Sequence, residues 1–185
     1  MKLPFKKMTD HIIALGMADL PHTRKTYLAH VISVYRDMKT WGADEELCRA
    51  AMYHSVYGTQ GFKAAQFSIE RREELRQLIG DRAERIAYGN CAMDRDSFDA
   101  QLDSQLERYL VGDRITGGVM DLSPADYDDL ARLHLCDWLE QVQRSDDRYF
   151  RFDAYRKIAE RLGGVALAAF QREFHQETPS RQSAG

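Results

Sequence analysis

The sequence predicts an all-α fold in a single domain. Apolar residues recur at the 3.6-residue spacing of an amphipathic helix along most of the chain, and no segment shows the alternation of a half-buried strand. Twelve glycines and four prolines separate these segments. A length of 185 residues is typical of one domain. We therefore expect seven to nine helices within residues 1–175 and a flexible tail over residues 176–185.

The first three helices are predicted from their caps and their breaks. A short helix should span 9–17, with Thr9 or Asp10 as its cap. The second should open at Pro21-His22-Thr23 and end at Trp41-Gly42. Asp44 can cap the third helix, because a side-chain oxygen at that position accepts a hydrogen bond from the first turn. This third helix should carry His54 on its inward face.

The central elements follow a glycine-rich loop at 57–61, where two glycines disfavour regular structure. Ser68 can cap a fourth helix that ends at Ile79. Asp81 can cap a fifth helix through Met93, with Glu84 completing a capping box. The apolar spacing over 98–110 predicts a sixth helix.

The C-terminal part begins with a segment, 111–122, whose three glycines leave its structure unassigned. Ser123 followed by Pro124 is a strong helix start, since proline is favoured at the first helical position. That helix should reach Gln141. Two further helices are expected over 153–162 and 165–175, separated by Gly163-Gly164.

The composition excludes several classes of protein. With 26 basic and 29 acidic residues the net charge is −3, so we expect no nucleic-acid partner. No apolar run reaches the roughly 20 residues of a membrane span, and Gly16 and Asp19 interrupt the N-terminal stretch, so neither a membrane partner nor a signal peptide is expected. Three widely spaced cysteines in apolar contexts fit reduced thiols in the cytoplasm.

Three polar residues stand on predicted inward faces. His54 shares a face with the apolar residues before it, His30 borders the apolar stripe of its helix, and Asp137 lies four residues after Leu133. An inward carboxylate is costly unless a cation or hydrogen-bond donors meet it. The three residues could share a metal ion, or they could be unrelated hydrogen-bonded residues of a helical core.

The order of these residues resembles the HD superfamily of helical metal-dependent phosphohydrolases. The likeness is greatest to the hydrolase domain of bifunctional guanosine tetraphosphate enzymes. It covers residues 23–144 and rests on His30 and on the segments 47–55, 79–87 and 135–139. The chain departs from that pattern at Ser55, which replaces the dyad aspartate, and at Gly58 and Thr59, which replace an acidic catalytic pair.

The resemblance implies an HD-type helical domain in which His30, His54 and Asp137 hold one divalent ion, either Fe, Mn or Zn. A metal-bound water would be the nucleophile. His134 would either bind the ion as a further ligand or orient one of the other ligands. Ser55 would hydrogen-bond the substrate or the water. The implied function is hydrolysis of a small phosphorylated or anionic metabolite.

Four further residues are candidates for binding the substrate. His22 and Arg24 at the start of the second helix could bind an anion, since backbone amides and the helix dipole favour negative charge there. The alternative, an ordinary helix start, is the favoured explanation of both residues. Tyr57 and Thr59 would rim the site, or merely form a turn.

Two alternative functions remain open. One is a non-catalytic HD-like domain that binds a small molecule or a partner protein, and the other is a mononuclear non-haem iron oxygenase. Metal content distinguishes the first alternative from the enzyme, and iron-dependent oxygen uptake distinguishes the second. The oligomeric state is open.

Overall fold

A computed structural model describes residues 3–63 and 67–175, and the predicted tail at 176–185 lies outside them. The described part is mainly helical, which confirms the all-α prediction. Its helices are α1 (Phe5–Ala14), α2 (Tyr27–Thr40), α3 (Glu45–Met52), α4 (Arg72–Ile79), α5 (Asp81–Ala92), α6 (Arg95–Asp99), α7 (Pro124–Gln141), α8 (Phe152–Leu162) and α9 (Gly164–His175). Short 3-10 turns lie at Ile69–Arg71 and Val142–Arg144.

Two small antiparallel hairpins complete the described part. Strand β1 (Pro21–His22) pairs with β2 (Lys25–Thr26), and β3 (Tyr109–Gly112) pairs with β4 (Val119–Leu122). Within residues 3–63 and 67–175, none of the helices combines the length and apolar content that a bilayer-spanning segment requires.

Helix α7 connects two apolar clusters. The first cluster is formed by the five helices from α1 through α5, and Leu133 and Cys136 of α7 pack into it. The second joins α6, the β3–β4 hairpin, α8 and α9, and Leu130 and Leu135 of α7 pack into that one. Because α7 is buried on both sides, the residues on its remaining face have a fixed position relative to α2 and α3.

Several predicted helix ends are confirmed. Asp44 accepts a hydrogen bond from the Leu47 amide at 2.9 Å, and Ser123 accepts one from the Asp126 amide at 3.1 Å. Ser68 caps the 3-10 turn that leads into α4. These ends were predictable because a cap depends on residues within one turn of the chain.

Three predicted helix starts are wrong. Helix α1 begins four residues early, after Pro4, and neither Thr9 nor Asp10 caps it. Helix α2 begins at Tyr27 with Thr26 as its cap, because residues 21–26 form the β1–β2 hairpin instead. Gly80, not Asp81, precedes α5.

The β1–β2 hairpin turns through two residues in the left-handed region. Thr23 has φ of 39° and Arg24 has φ of 62°, which are unfavourable for residues with a Cβ. The Thr23 hydroxyl donates to the Gln141 side chain at 2.8 Å, and Arg144 donates to the Thr23 carbonyl at 3.1 Å. Contacts with the end of α7 therefore hold the turn.

The predicted sixth helix over 98–110 is also wrong. Helix α6 stops at Asp99, and Tyr109 begins strand β3. The Tyr109 ring is buried and stacks on Tyr127 of α7 with centroids 4.0 Å apart. This long-range packing, together with the turn between β3 and β4, overrides the local helical spacing.

Candidate metal centre

The three predicted ligands converge on one point. His30 Nε2 lies 3.2 Å from His54 Nε2 and 3.1 Å from Asp137 Oδ1, and His54 Nε2 lies 3.2 Å from the same Oδ1. Ligands bound to one ion at about 2.0–2.2 Å stand about 2.8–3.1 Å apart at right angles and about 3.3–3.6 Å apart at tetrahedral angles. The observed spacing lies between these two geometries, so the residues fit a metal ion.

His54 comes from the turn after α3, and the prediction that it lies on that helix is wrong. Helix α3 ends at Met52, which leaves the Ala51 carbonyl without its usual helical partner. His54 Nδ1 lies 2.7 Å from that carbonyl oxygen. A carbonyl can only accept, so Nδ1 carries the hydrogen and the lone pair of Nε2 faces Asp137.

His30 is oriented in the same way, with Nδ1 hydrogen-bonded and Nε2 facing Asp137. The residue that orients it is one that the sequence analysis missed. Its Nδ1 lies 2.6 Å from Oε2 of Glu140, a carboxylate whose side chain is 4% exposed. Lys25 and Arg144 pair with the same carboxylate. Glu140 follows Asp137 by three positions, so helical spacing alone could have placed it beside the site.

Asp137 completes the triangle. Its side chain is 14% exposed, and Gln141 Nε2 donates to Oδ1 at 3.1 Å. Burial alone would raise the pKa of this carboxyl, but His54 and His30 hold it well below its usual range. Burial alone would lower the pKa of His30, but its hydrogen bonds to Asp137 and Glu140 raise it.

When His30 is neutral, three acceptor atoms face one another. With both Nδ1 atoms hydrogen-bonded to acceptors, each Nε2 offers a lone pair, and the ionised Asp137 oxygen offers another. Such a group is repulsive unless a proton or a cation lies among the three atoms. A carboxylate that orients the far nitrogen of a histidine is a common support of metal-binding histidines.

The triangle lies against a cavity of about 280 Å³. His54 and Asp137 are among the polar residues that line it, and four aromatic residues line it as well: Phe62, Trp138, Phe150 and Tyr155. The rest of its lining comes from Pro21, His22, Thr23, Ser55, Thr59, Gly61, Arg95 and Gln141. Asp137 is the one carboxylate among these lining residues.

The residues after His54 have different positions. Ser55 and Thr59 line the cavity. The Ser55 hydroxyl donates to the Tyr27 hydroxyl at 3.4 Å, and Thr59 Oγ1 accepts from the Phe62 amide at 2.9 Å. Tyr57 is directed elsewhere, since its hydroxyl donates to Glu84 at 2.9 Å.

His22 and Arg24 lie on the β1–β2 hairpin, so the predicted anion site at a helix start is wrong. The His22 ring stacks on His30 with centroids 3.9 Å apart and lines the cavity. Burial and the charge of His30 lower the pKa of His22 to about 4, so it is neutral at pH 7. Arg24 is exposed and pairs with Asp146 outside the cavity.

His134 stands apart from the triangle. Its Nε2 accepts from Arg151 at 2.9 Å, and its ring packs between Phe98 and Tyr155. Burial and the charge of Arg151 lower the pKa of His134 well below its usual value. It is neither in the converging group nor among the residues that line the cavity.

A protein family described as a domain of unknown function (DUF6817) matches residues 11–95. That stretch includes His30, His54 and the cavity residues from Pro21 to Arg95, and it stops before Asp137 and Glu140. No curated protein and no solved structure matches the chain.

Proposed function

We propose that this protein is a metal-dependent hydrolase of the HD type that acts on a small phosphorylated or anionic metabolite. The observation that carries the proposal is the convergence of three lone-pair atoms beside a cavity. His30, His54 and Asp137 supply them, and the far sides of both histidines are bound by acceptors. The order of these residues along the chain supports the HD assignment.

Each residue has a role in this proposal. His30, His54 and Asp137 hold one divalent ion, and Glu140 keeps His30 in the required tautomer. A bound ion of this kind lowers the pKa of a coordinated water towards 7. Ser55 and Thr59 line the cavity, where their hydroxyls can hydrogen-bond a substrate.

Metal content tests this proposal. Protein purified without a histidine tag or a chelator should hold about one equivalent of zinc, manganese or iron per chain, and His54→Gln should hold far less. His11→Gln is the matched control, because His11 belongs neither to the converging group nor to the residues that line the cavity. Wild-type protein that binds none of these metals, and gains no thermal stability from them, would contradict the proposal.

One observation favours the non-catalytic alternative. Among the residues that the structure describes, Asp137 is the one carboxylate that lines the cavity, and Ser55, Gly58 and Thr59 stand where the hydrolases have acidic residues. A water at the metal would have no second carboxylate to accept its proton. Metal-loaded protein that binds anions but hydrolyses no phosphate ester, p-nitrophenyl phosphate included, would favour a binding module.

A further inference from the structure

A cation lines the cavity beside the candidate metal centre. Arg95 is the first residue of α6, and its guanidinium lies next to Gly61, with Nη2 3.6 Å and Nη1 3.9 Å from where a Cβ at Gly61 would be. On another side its Cζ lies 5.8 Å from the centre of the Phe150 ring. Gly61 and Phe150 both line the cavity, so the guanidinium faces it.

This guanidinium has no carboxylate partner within residues 3–63 and 67–175. The nearby Asp99 is bound by both of its oxygens to Arg151, at 2.5 and 2.6 Å. Arg95 is partly withdrawn from water, and this burial lowers its pKa from the usual value. An arginine stays charged in proteins, and a partly buried charge without a counter-ion is costly.

The cavity around Arg95 combines the candidate metal centre with aromatic side chains. A divalent ion at the triangle would more than neutralise Asp137, so that part of the cavity would be positive and would attract an anion. Part of the wall is aromatic, with Trp138 and Tyr155 stacked at 5.3 Å and Phe150 against Trp138, and the Phe62 ring lines the cavity next to His22. Flat apolar groups pack well against such a wall.

We propose that Arg95 binds an oxyanion of the substrate, and that the substrate carries a flat, ring-sized apolar body against Phe62, Trp138 and Phe150. The planar guanidinium suits two parallel hydrogen bonds to a carboxylate or to a phosphoryl group. This assignment rests on the proposed function, because it names the chemistry of the molecule bound in the same cavity.

The probe is phenylphosphonate, which joins an oxyanion to an aromatic ring and has no ester bond to hydrolyse. Its affinity is measured by calorimetry on the whole protein, both metal-free and zinc-loaded, with methylphosphonate as the probe that lacks the ring. Three proteins are compared: wild type, Arg95→Gln and Arg95→Lys. Arg36→Gln serves as the control, since Arg36 is an exposed arginine of α2.

Loss of a charged hydrogen-bond partner costs about 1.5–3 kcal/mol, so Arg95→Gln should bind phenylphosphonate about 10–100-fold more weakly. Arg95→Lys should lie between it and wild type, and Arg36→Gln should match wild type. Zinc binding should not weaken in Arg95→Gln, because the change removes a positive charge and none of the three candidate ligands. Wild-type protein should bind methylphosphonate more weakly than phenylphosphonate.

Equal phenylphosphonate affinity in wild type and Arg95→Gln would overturn the assignment of Arg95. Equal affinity of wild type for the two phosphonates would overturn the aromatic body. Both titrations are repeated without metal. A wild-type protein that binds no zinc, but still needs Arg95 to bind phenylphosphonate, would disprove the proposed hydrolase and support the anion site at Arg95. The two proposals therefore fail separately.

Discussion

At the scale of single residues, Glu140 determines which nitrogen of His30 faces the cavity. Its carboxylate binds Nδ1 at 2.6 Å and is itself held by Lys25 and Arg144. Glu140→Gln removes the charge that fixes the tautomer, and changes to such supporting residues lower metal affinity about 10–100-fold. We expect a loss of that size in a zinc titration.

The control for this variant is Glu160→Gln, which changes an exposed glutamate paired with Arg156 on α8. Its zinc affinity should equal that of wild type. If Glu140→Gln also kept wild-type affinity, His30 would not need this carboxylate to bind the ion.

Ser55 lines the cavity directly after a candidate ligand. Ser55→Asp would place an anion there in place of a neutral hydroxyl, so we expect tighter metal binding and weaker binding of an anionic substrate. Metal titrations of Ser55→Asp and Ser55→Ala, each first checked for folding by circular dichroism, measure the difference. Unchanged metal affinity in Ser55→Asp would show that position 55 does not reach the ion.

His30 and Asp137 were predictable because helical spacing placed them on inward faces of α2 and α7. His54 was predicted from the same spacing, although α3 ends before it. Glu140 has the same kind of signal but was missed, since an acidic residue near a helix end usually faces solvent. Arg95 could not be recognised at all. Its importance depends on Gly61 and on the pairing of Asp99 with Arg151, which are contacts between distant parts of the chain.

At the scale of elements, α4 and α5 are joined by a buried charge. Glu84 is fully buried, and Arg72, Arg76 and Tyr57 donate to its carboxylate. The sequence analysis assigned Glu84 to a capping box at the start of α5, which is wrong because the side chain turns inward towards α4. Local spacing matched the capping pattern, but two arginines from the preceding helix compete for the same carboxylate.

We expect Glu84→Gln to lower the free energy of unfolding by about 2–4 kcal/mol, because the change removes the carboxylate that pairs with Arg72 and leaves Arg76 with Glu73 alone. Urea denaturation measures this loss. Glu74→Gln is the control, since Glu74 of α4 forms an exposed pair with Arg71 and its loss should give no measurable change. Similar unfolding midpoints for wild type and Glu84→Gln would show that Glu84 does not hold these helices together.

The hairpins show the limit of prediction at this scale. A two-residue turn of this type usually contains glycine or asparagine, and Thr23-Arg24 gives no such signal. The turn exists because Gln141 and Arg144 hold it from the end of α7. Caps can be predicted from neighbouring residues, whereas this turn depends on residues more than a hundred positions away.

At the scale of the whole molecule, a buried neutral histidine makes stability depend on pH. The pKa of His134 is lowered in the folded protein, while an unfolded histidine takes up a proton near pH 6.5. The unfolded state therefore binds more protons below that pH, and stability falls as the pH drops from 7 towards 5. His11 and His22, whose pKa values are also lowered, act in the same direction.

We expect His134→Gln to have a flatter dependence of unfolding free energy on pH, with a slope smaller by up to about 1.4 kcal/mol per pH unit. Urea denaturation of metal-free protein at pH 5, 6 and 7 measures the slopes. Identical slopes in variant and wild type would show that His134 is protonated equally in both states.

The converging triangle has a further consequence for the whole chain. His30 and His54 are separated by 24 positions, and the third candidate ligand, Asp137 of α7, comes from much farther along the sequence. One ion bound to all three ligands would act as a reversible cross-link that closes two large loops, as a disulfide does. At a free zinc concentration 100 times its dissociation constant, this linkage adds about 2.7 kcal/mol to the free energy of unfolding. Chelation should therefore lower the urea midpoint of the whole molecule in one step, and the free metal concentration in the cell would determine what fraction of the protein is folded.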